Sequence, residues 1–195
     1  MASEQLAFAT AHALLRETLS FCAGGDPAAW RFAPDALGKP VVVARLADEK
    51  WEFNLSHTSG LVACVVARSS PVGIDVESTE RPRAYSALAR RVLAPSELED
   101  VEARAPGERS ERFLEYWTLK EARLKARGTG IRSPLRQLQF RLVREEGAEC
   151  VADSEEAEGQ GNWHYLRLRP TPQHCLAVAC RSASSPGWEI QEVTS

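Results

Sequence analysis

The sequence predicts an α+β protein, and a short recurrence suggests that it has two related halves. Three observations carry this reading. Helical segments stand at the start and in the middle of the chain, and short alternating or β-branched runs lie between and after them. One pattern then appears twice: "HTSGLVACVVA" and "TPQHCLAVACR" are both polar turns that feed a similar apolar strand.

With 195 residues the chain can bury a substantial core, as one domain or as two small halves packed together. Its 44% hydrophobic and 26% charged residues are those of a water-soluble globular protein, and a net charge of −3 offers no basic field for a nucleic-acid backbone. No nucleic-acid partner is expected. The five cysteines are odd in number and scattered, without a CxxC pair or zinc-like His spacing, and read as reduced, mostly buried thiols. No basic region precedes the first apolar stretch, and no later apolar run is long enough to cross a bilayer. The expectation is an untargeted cytoplasmic protein that does not engage membranes.

In chain order, Phe8, Leu15 and Leu19 recur at helical spacing between Glu4 and Phe21, and Gly24-Gly25 ends the helix. His12 falls on the same face and reads as a core or interface histidine. After the Pro/Gly punctuation of "PDALGKP" come "WEFNL", the turn "SHTSG" and the run "LVACVVA", which read as strand, turn, strand. Val72 to Glu77 forms the next strand, followed by a helix over Tyr85 to Leu93. A second helix opens at "APSELEDVEARA", where Ser96 with Glu99 fits a capping box. "ERFLEYWTLKEARLKAR" is the strongest helix, and Gly128 stops it. Strands "LQFRLVREEG", "WHYLRLRP" and "HCLAVACR" follow, with the acidic "DSEEAEGQG" as an exposed loop. "SASSPGWEIQEVTS" reads as a partly ordered tail.

Alternation puts Val72, Ile74 and Val76 on one face of their strand and Gly73, Asp75 and Glu77 on the other. A solvated edge strand would also carry such a polar face. On the long helix, Phe113, Leu114, Trp117 and Leu124 define an apolar stripe, and Glu121 lies inside it. A carboxylate there loses hydration and needs a cation or strong donors. An exposed i, i+4 pair with Lys125 would contribute only about 0.2–0.5 kcal/mol.

Lys120 and Lys125 flank the stripe, an arrangement suited to a metal-bound polyphosphate. Asp75, Glu77 and Glu121 would give Mg²⁺ three hard oxygen ligands and leave positions for phosphate and water; Mn²⁺ suits the same donors. Ser56 and His57 are neighbours on extended chain, point apart and make a poor nucleophilic dyad. They read either as a plain turn or, with Lys39, as hydrogen-bond donors to a second phosphate.

In order, "GKP", "FNLSHTSG", "VGIDVE" and "FLEYWTLKEARLKARGTGI" resemble the 4'-phosphopantetheinyl transferases, in particular the larger surfactin-synthetase-activating type, from about Leu6 to Arg181. The resemblance implies a monomeric α+β fold of two similar halves related by a pseudo-twofold axis, with coenzyme A and Mg²⁺ in the cleft between them. The halves would be residues 1–100 and 101–183, with 184–195 as a tail.

The implied reaction moves 4'-phosphopantetheine from coenzyme A to a serine of an acyl or peptidyl carrier protein. Residue by residue, Asp75, Glu77 and Glu121 match the Mg²⁺ ligands, and Lys125 and Lys120 match lysines that neutralise the pyrophosphate. Ser56 and His57 match contacts to the 3'-phosphate, and Lys39 matches a further coenzyme-binding lysine. Glu121, directly or through a water, and Glu97 are candidate acceptors of the serine proton. Members of this type usually carry a further strand and basic residues ahead of the first helix, which the first half is expected to lack. Arg81, Arg83, Arg90 and Arg91 read either as ordinary solvated charge or as a surface for an acidic carrier helix.

Two rival readings use the same residues. A Mg²⁺-dependent phosphohydrolase would also need three carboxylates and lysines, but not "FNLSHTSG" or "KEARLKARG". A shortened, non-catalytic relative would keep the coenzyme or carrier surface without completing the transfer.

Overall fold

The structure is a computed structural model that describes residues 2–36, 38–44, 50–80, 85–128, 134–143, 146–154 and 162–193. Arg81 and Arg83 lie outside the described residues. The elements are α1 (Ala2–Ala23), β1 (Arg31–Pro34), β2 (Pro40–Ala44), β3 (Trp51–Thr58), β4 (Leu61–Arg68), β5 (Val72–Ser78), α2 (Tyr85–Val92), α3 (Pro95–Glu102), α4 (Arg109–Arg127), β6 (Leu138–Val143), β7 (Gly147–Asp153), β8 (Asn162–Leu168) and β9 (His174–Ser182). β1–β2 and β3–β4 are antiparallel hairpins, and the remaining strands form a five-stranded sheet in the order β5-β9-β8-β7-β6. The α+β class is as expected. β1, β2 and β7 were not anticipated: β7 exposes Val151 and Glu149 alike and shows no clean alternation.

The elements stack in layers because each strand's side chains alternate between two covers. Leu15 and Leu19 of α1 are fully buried against Trp30 and Phe53, so α1 covers one face of the β3–β4 hairpin. Trp30 donates its indole N–H to Ser20 Oγ at 2.8 Å, which satisfies its polar atom inside this cluster. The buried face of α1 is Ala11, Leu15 and Leu19, one residue per turn. Phe8, expected on it, is 66% exposed and lies against His12, with ring centroids 4.2 Å apart. His12 also meets the edge of Phe32 and is half-buried, as an interface histidine should be.

The other face of β4 packs on the sheet through Ala63, against Val72, Ile74 and Val76 of β5 and Leu176, Val178 and Cys180 of β9. α4, with α2 and α3 behind it, covers the opposite face of the sheet and forms the largest apolar cluster, with Phe113, Leu119, Phe140 and Tyr165 among its members. The alternation read in β5 therefore holds, and its polar face looks at α4.

Gly73 sets how closely α4 can lie. A Cβ at this position would stand 2.1 Å from the Ala122 carbonyl oxygen and 2.4 Å from the Ala126 nitrogen. The helix backbone rests directly on the strand, which requires glycine on one side and small alanines on the other. At its end, Gly128 takes φ 74° and donates its N–H to the Leu124 and Lys125 carbonyls, the left-handed cap its position predicted. α3 starts two residues earlier than its capping signal implied, with Ala94 rather than Ser96 as its N-cap. Glu97, not Glu99, reaches back to its first turn, accepting the Ala94 N–H at 2.7 Å.

The five cysteines are free thiols; Cys175 and Cys180 are buried, Cys64 and Cys150 half-buried, and Cys22 exposed. No helix among the described residues is long and apolar enough to cross a membrane. Gly73→Ala is expected to push α4 off β5 and to cost about 3 kcal/mol or more, read as a lowered urea midpoint. An unchanged midpoint would show that the helix is free to move.

Candidate active site

The close seat of α4 on β5 puts Glu121 and Lys125, one turn apart, over the polar face of the strand. Lys125 Nζ donates to Asp75 Oδ1 at 2.6 Å, to Ser56 Oγ at 3.0 Å and to the Ile74 carbonyl at 3.1 Å. Glu77 accepts the indole N–H of Trp117, one turn before Glu121, at 3.1 Å. Burial, then the negative charge of Asp75 and, more weakly, that of Glu77 raise the proton affinity of Glu121, while Lys125 opposes them. Burial also raises Asp75, against the pull of Lys125, Ser56 and the Val76 N–H. Asp75, Glu77, Glu121 and Lys125 therefore share one locale.

Two oxygens in this locale, Asp75 Oδ2 and Glu121 Oε1, are buried and accept no hydrogen bond. An unsatisfied buried carboxylate oxygen is costly unless a cation or donor meets it. No three His, Cys, Asp or Glu side chains among the described residues already converge as a metal shell. The chemistry of the donors is nevertheless that of a hard divalent cation: carboxylate oxygens only, two without partners, drawn from a rigid strand and a rigid helix. The residues fit such an ion.

β3 completes the floor. β5 is an edge strand paired with β9 on one side, and on its open side two backbone N–H groups are met by side chains: Asn54 Oδ1 accepts the Ile74 N–H at 3.0 Å and Ser56 Oγ the Val76 N–H at 3.2 Å. Ser56 is buried, whereas His57, next in the chain, is exposed. Lys39 is half-buried in the β1–β2 turn, and its Cδ lies 3.9 Å from the Cβ position of Gly128, at the C-terminal end of the helix that carries Lys125.

Two candidates belong elsewhere. Lys120 and Glu97 are both 0% exposed and form an ion pair at 2.7 Å in the core. Glu97 also accepts the Phe140 N–H at 2.8 Å, and Lys120 donates to the carbonyls of Leu135 and Leu138. Burial pushes Glu97 up and Lys120 down, and each partner offsets the other's shift. Helical phase explains the correction: Lys120 and Lys125 flank Glu121 on opposite sides, and only the Lys125 side faces β5. Lys120 is not placed to meet a pyrophosphate, nor Glu97 to take a substrate proton.

Gly73, Asn54 and the Trp117 indole were missed as site residues. A Trp four residues before a buried Glu was the available signal, because i and i+4 share a helix face. A separate cavity of about 540 Å³ lies by Asp100, Arg104, Arg112, Tyr116, Arg141 and Arg167, and none of the carboxylate-site residues lines it. Each of its arginines is paired with Asp100, Glu115 or Glu149.

A carboxylate cluster with its own lysine is thus held between an edge strand and a long helix. The profile of the 4'-phosphopantetheinyl transferase superfamily matches residues 71–179, from the start of β5 into β9. The chain is 31% identical to 4'-phosphopantetheinyl transferase HetI of Nostoc sp. over 93% of its own length and 72% of the relative's. It is 34% identical to a Bacillus subtilis 4'-phosphopantetheinyl transferase over 66% of its length and 55% of that protein's. With a Thraustochytrium phosphopantetheinyl transferase it shares 30% identity over 89% of its length and 63% of that protein's. The chain thus spans less than two thirds of the last two. A Bacillus anthracis holo-(acyl-carrier-protein) synthase solved with CoA (3',5'-ADP) matches 58% of this chain and 96% of that chain, at 19% identity and a TM-score of 0.49. The chain belongs to the 4'-phosphopantetheinyl transferase superfamily.

Glu97→Gln should strand the Lys120 charge in the core and lower the unfolding free energy by about 3–5 kcal/mol, while Glu97→Gln with Lys120→Met should recover most of the loss. Denaturant titration of both variants checks this. A wild-type midpoint in the single variant would contradict the core assignment.

Proposed function

We propose that this protein transfers 4'-phosphopantetheine from coenzyme A to a serine hydroxyl of an apo acyl or peptidyl carrier protein and releases adenosine 3',5'-bisphosphate. The observation that carries the proposal is the pair of unpartnered carboxylate oxygens, Asp75 Oδ2 and Glu121 Oε1, beside Lys125 in a chain of this superfamily. Asp75, Glu77 and Glu121 would hold Mg²⁺, or equally Mn²⁺. Such an ion would draw charge from the pyrophosphate and lower the barrier to attack at phosphorus.

This chain's residues do the rest. Lys125, 29% exposed and paired with Asp75 at 2.6 Å, would turn to the pyrophosphate oxygens. Lys39 and the exposed His57 would meet a further phosphate of the coenzyme. The carrier serine oxygen forms a bond to the β-phosphorus, and the bond from that phosphorus to the oxygen bridging to the α-phosphate breaks, its electron pair leaving with the bisphosphate. The serine proton passes to Glu121, directly or through a water. The two halves, 1–100 and 101–183, would be the pseudo-repeats that form the cleft; β4 is backed by α1 as β9 is backed by α4.

Incubation with an apo carrier protein, coenzyme A and Mg²⁺ should add the mass of one phosphopantetheine arm to the carrier, and EDTA should abolish the shift. Coenzyme A binding without transfer to several carriers would instead point to a non-catalytic relative, and hydrolysis without an acceptor to a phosphohydrolase. Glu121→Gln removes a charge repelled by Asp75 and Glu77, so in EDTA it should melt above wild type while losing at least about 100-fold in transfer rate. Calorimetry and the same mass assay check both halves of that expectation. Exposed Arg90 and Arg91 on α2 offer a surface to an acidic carrier. Charge reversal at Arg90, with Arg83, should raise the apparent KM for the carrier about tenfold and leave coenzyme affinity unchanged.

A further inference from the structure

Ser56 is the residue whose surroundings differ most from the role its motif suggests. Its side chain is 7% exposed, and all of its hydrogen-bonding capacity is used. A serine hydroxyl has one donor and two acceptor sites. The donor goes to Asp75 Oδ1 at 3.0 Å, and the acceptors take the Val76 N–H at 3.2 Å and Lys125 Nζ at 3.0 Å. An incoming phosphate would have to displace one of these.

The consequence for Asp75 is asymmetric. Its Oδ1 receives two donors, Ser56 and Lys125, while Oδ2 is buried and receives none. The terminal torsion of an aspartate is intrinsically broad, so two donors converging on one oxygen fix which oxygen is left for a cation. β3 fixes Ser56 in turn. Asn54 and Ser56, two residues apart on β3, meet Ile74 and Val76, two residues apart on β5, so both hold the strand register, and of the two Ser56 also bonds Asp75.

We propose that Ser56 is a positioning residue for Asp75, holding its Oδ1 so that Oδ2 is presented to a divalent cation, and that it is not a phosphate ligand. The identity of that cation's anionic partner rests on the proposed coenzyme A-dependent function; the orientation of Asp75 does not. Phosphate recognition is left to the exposed His57 and to Lys39.

The test measures Mn²⁺ binding to the full chain by electron paramagnetic resonance, with no coenzyme present, and separately the affinity ratio of coenzyme A to 3'-dephospho-coenzyme A by calorimetry. Ser56→Ala should weaken Mn²⁺ binding about tenfold or more, the usual cost of removing a partner of a metal ligand, and keep the wild-type affinity ratio. Ser56→Thr, which retains the hydroxyl, should stay close to wild type. Asn54→Ala, which loosens the same strand contact without touching Asp75, should lower stability but not Mn²⁺ affinity.

Unchanged Mn²⁺ binding in Ser56→Ala, an equal loss in Asn54→Ala, or a collapse of the 3'-phosphate preference in Ser56→Ala would each overturn the proposal. Should Ser56→Ala prove unfolded by circular dichroism, Ser56→Cys, of similar size but a poor hydrogen-bonding group, carries the same comparison. A wild-type chain that binds Mn²⁺ but not coenzyme A would sink the proposed function while the Mn²⁺ arm still decides the role of Ser56.

Discussion

Everything at the site depends on how near α4 can come to β5. The contact at Gly73 is backbone on backbone, and the hypothetical Cβ distances of 2.1 and 2.4 Å to Ala122 and Ala126 leave no room for a side chain. That approach brings the Lys125 ammonium within 2.6 Å of Asp75 and lets the Trp117 indole reach Glu77. A helix one methyl group further out would leave the carboxylates on separate elements without a common focus. The constraint is steric and local, and the chemistry inherits its precision.

α4 is also held from its other sides, which keeps that approach rigid. Lys120 is locked to Glu97 in the core. Arg123 pairs with Asp153 at 2.7 Å and lies 3.3 Å from the centre of the Trp163 ring, while Arg127 reaches the same Asp153. Buried ion pairs of this kind add little net stability compared with apolar packing, but breaking one is expensive, so they select a single seat for the helix. Charge is thus sorted by direction: Lys120 and Arg123 anchor the helix in the interior, and Lys125, facing β5, stays partly exposed.

The superfamily match begins at residue 71, so β5 and α4 fall within it and Ser56, His57 and Lys39 lie before it. The two groups differ physically. The carboxylates sit on a strand and a helix locked by packing, whereas the β3 residues act on them through hydrogen bonds to an open strand edge. An edge strand has N–H groups to satisfy. Here Asn54 and Ser56 satisfy two of them and, through Ser56, tie the first half of the chain to the orientation of Asp75.

What the sequence determined by itself was whatever depends on local period and spacing. The alternation of Val72 to Glu77, the helix ending at Gly128, and Glu121 within an apolar stripe were all legible, because a strand and a helix impose their periodicities wherever they occur. Three things were not: that Lys120 and Glu97 face inward, that Ser56 is buried beneath Asp75, and that β1, β2 and β7 are strands. Period says that two residues lie on different faces; it does not say which face another layer covers. Only the tertiary structure decides that, because burial is a property of the neighbour that arrives from elsewhere in the chain. For α4 the neighbours are β5 and β9 at one edge of the sheet and α3 with β6 at the other.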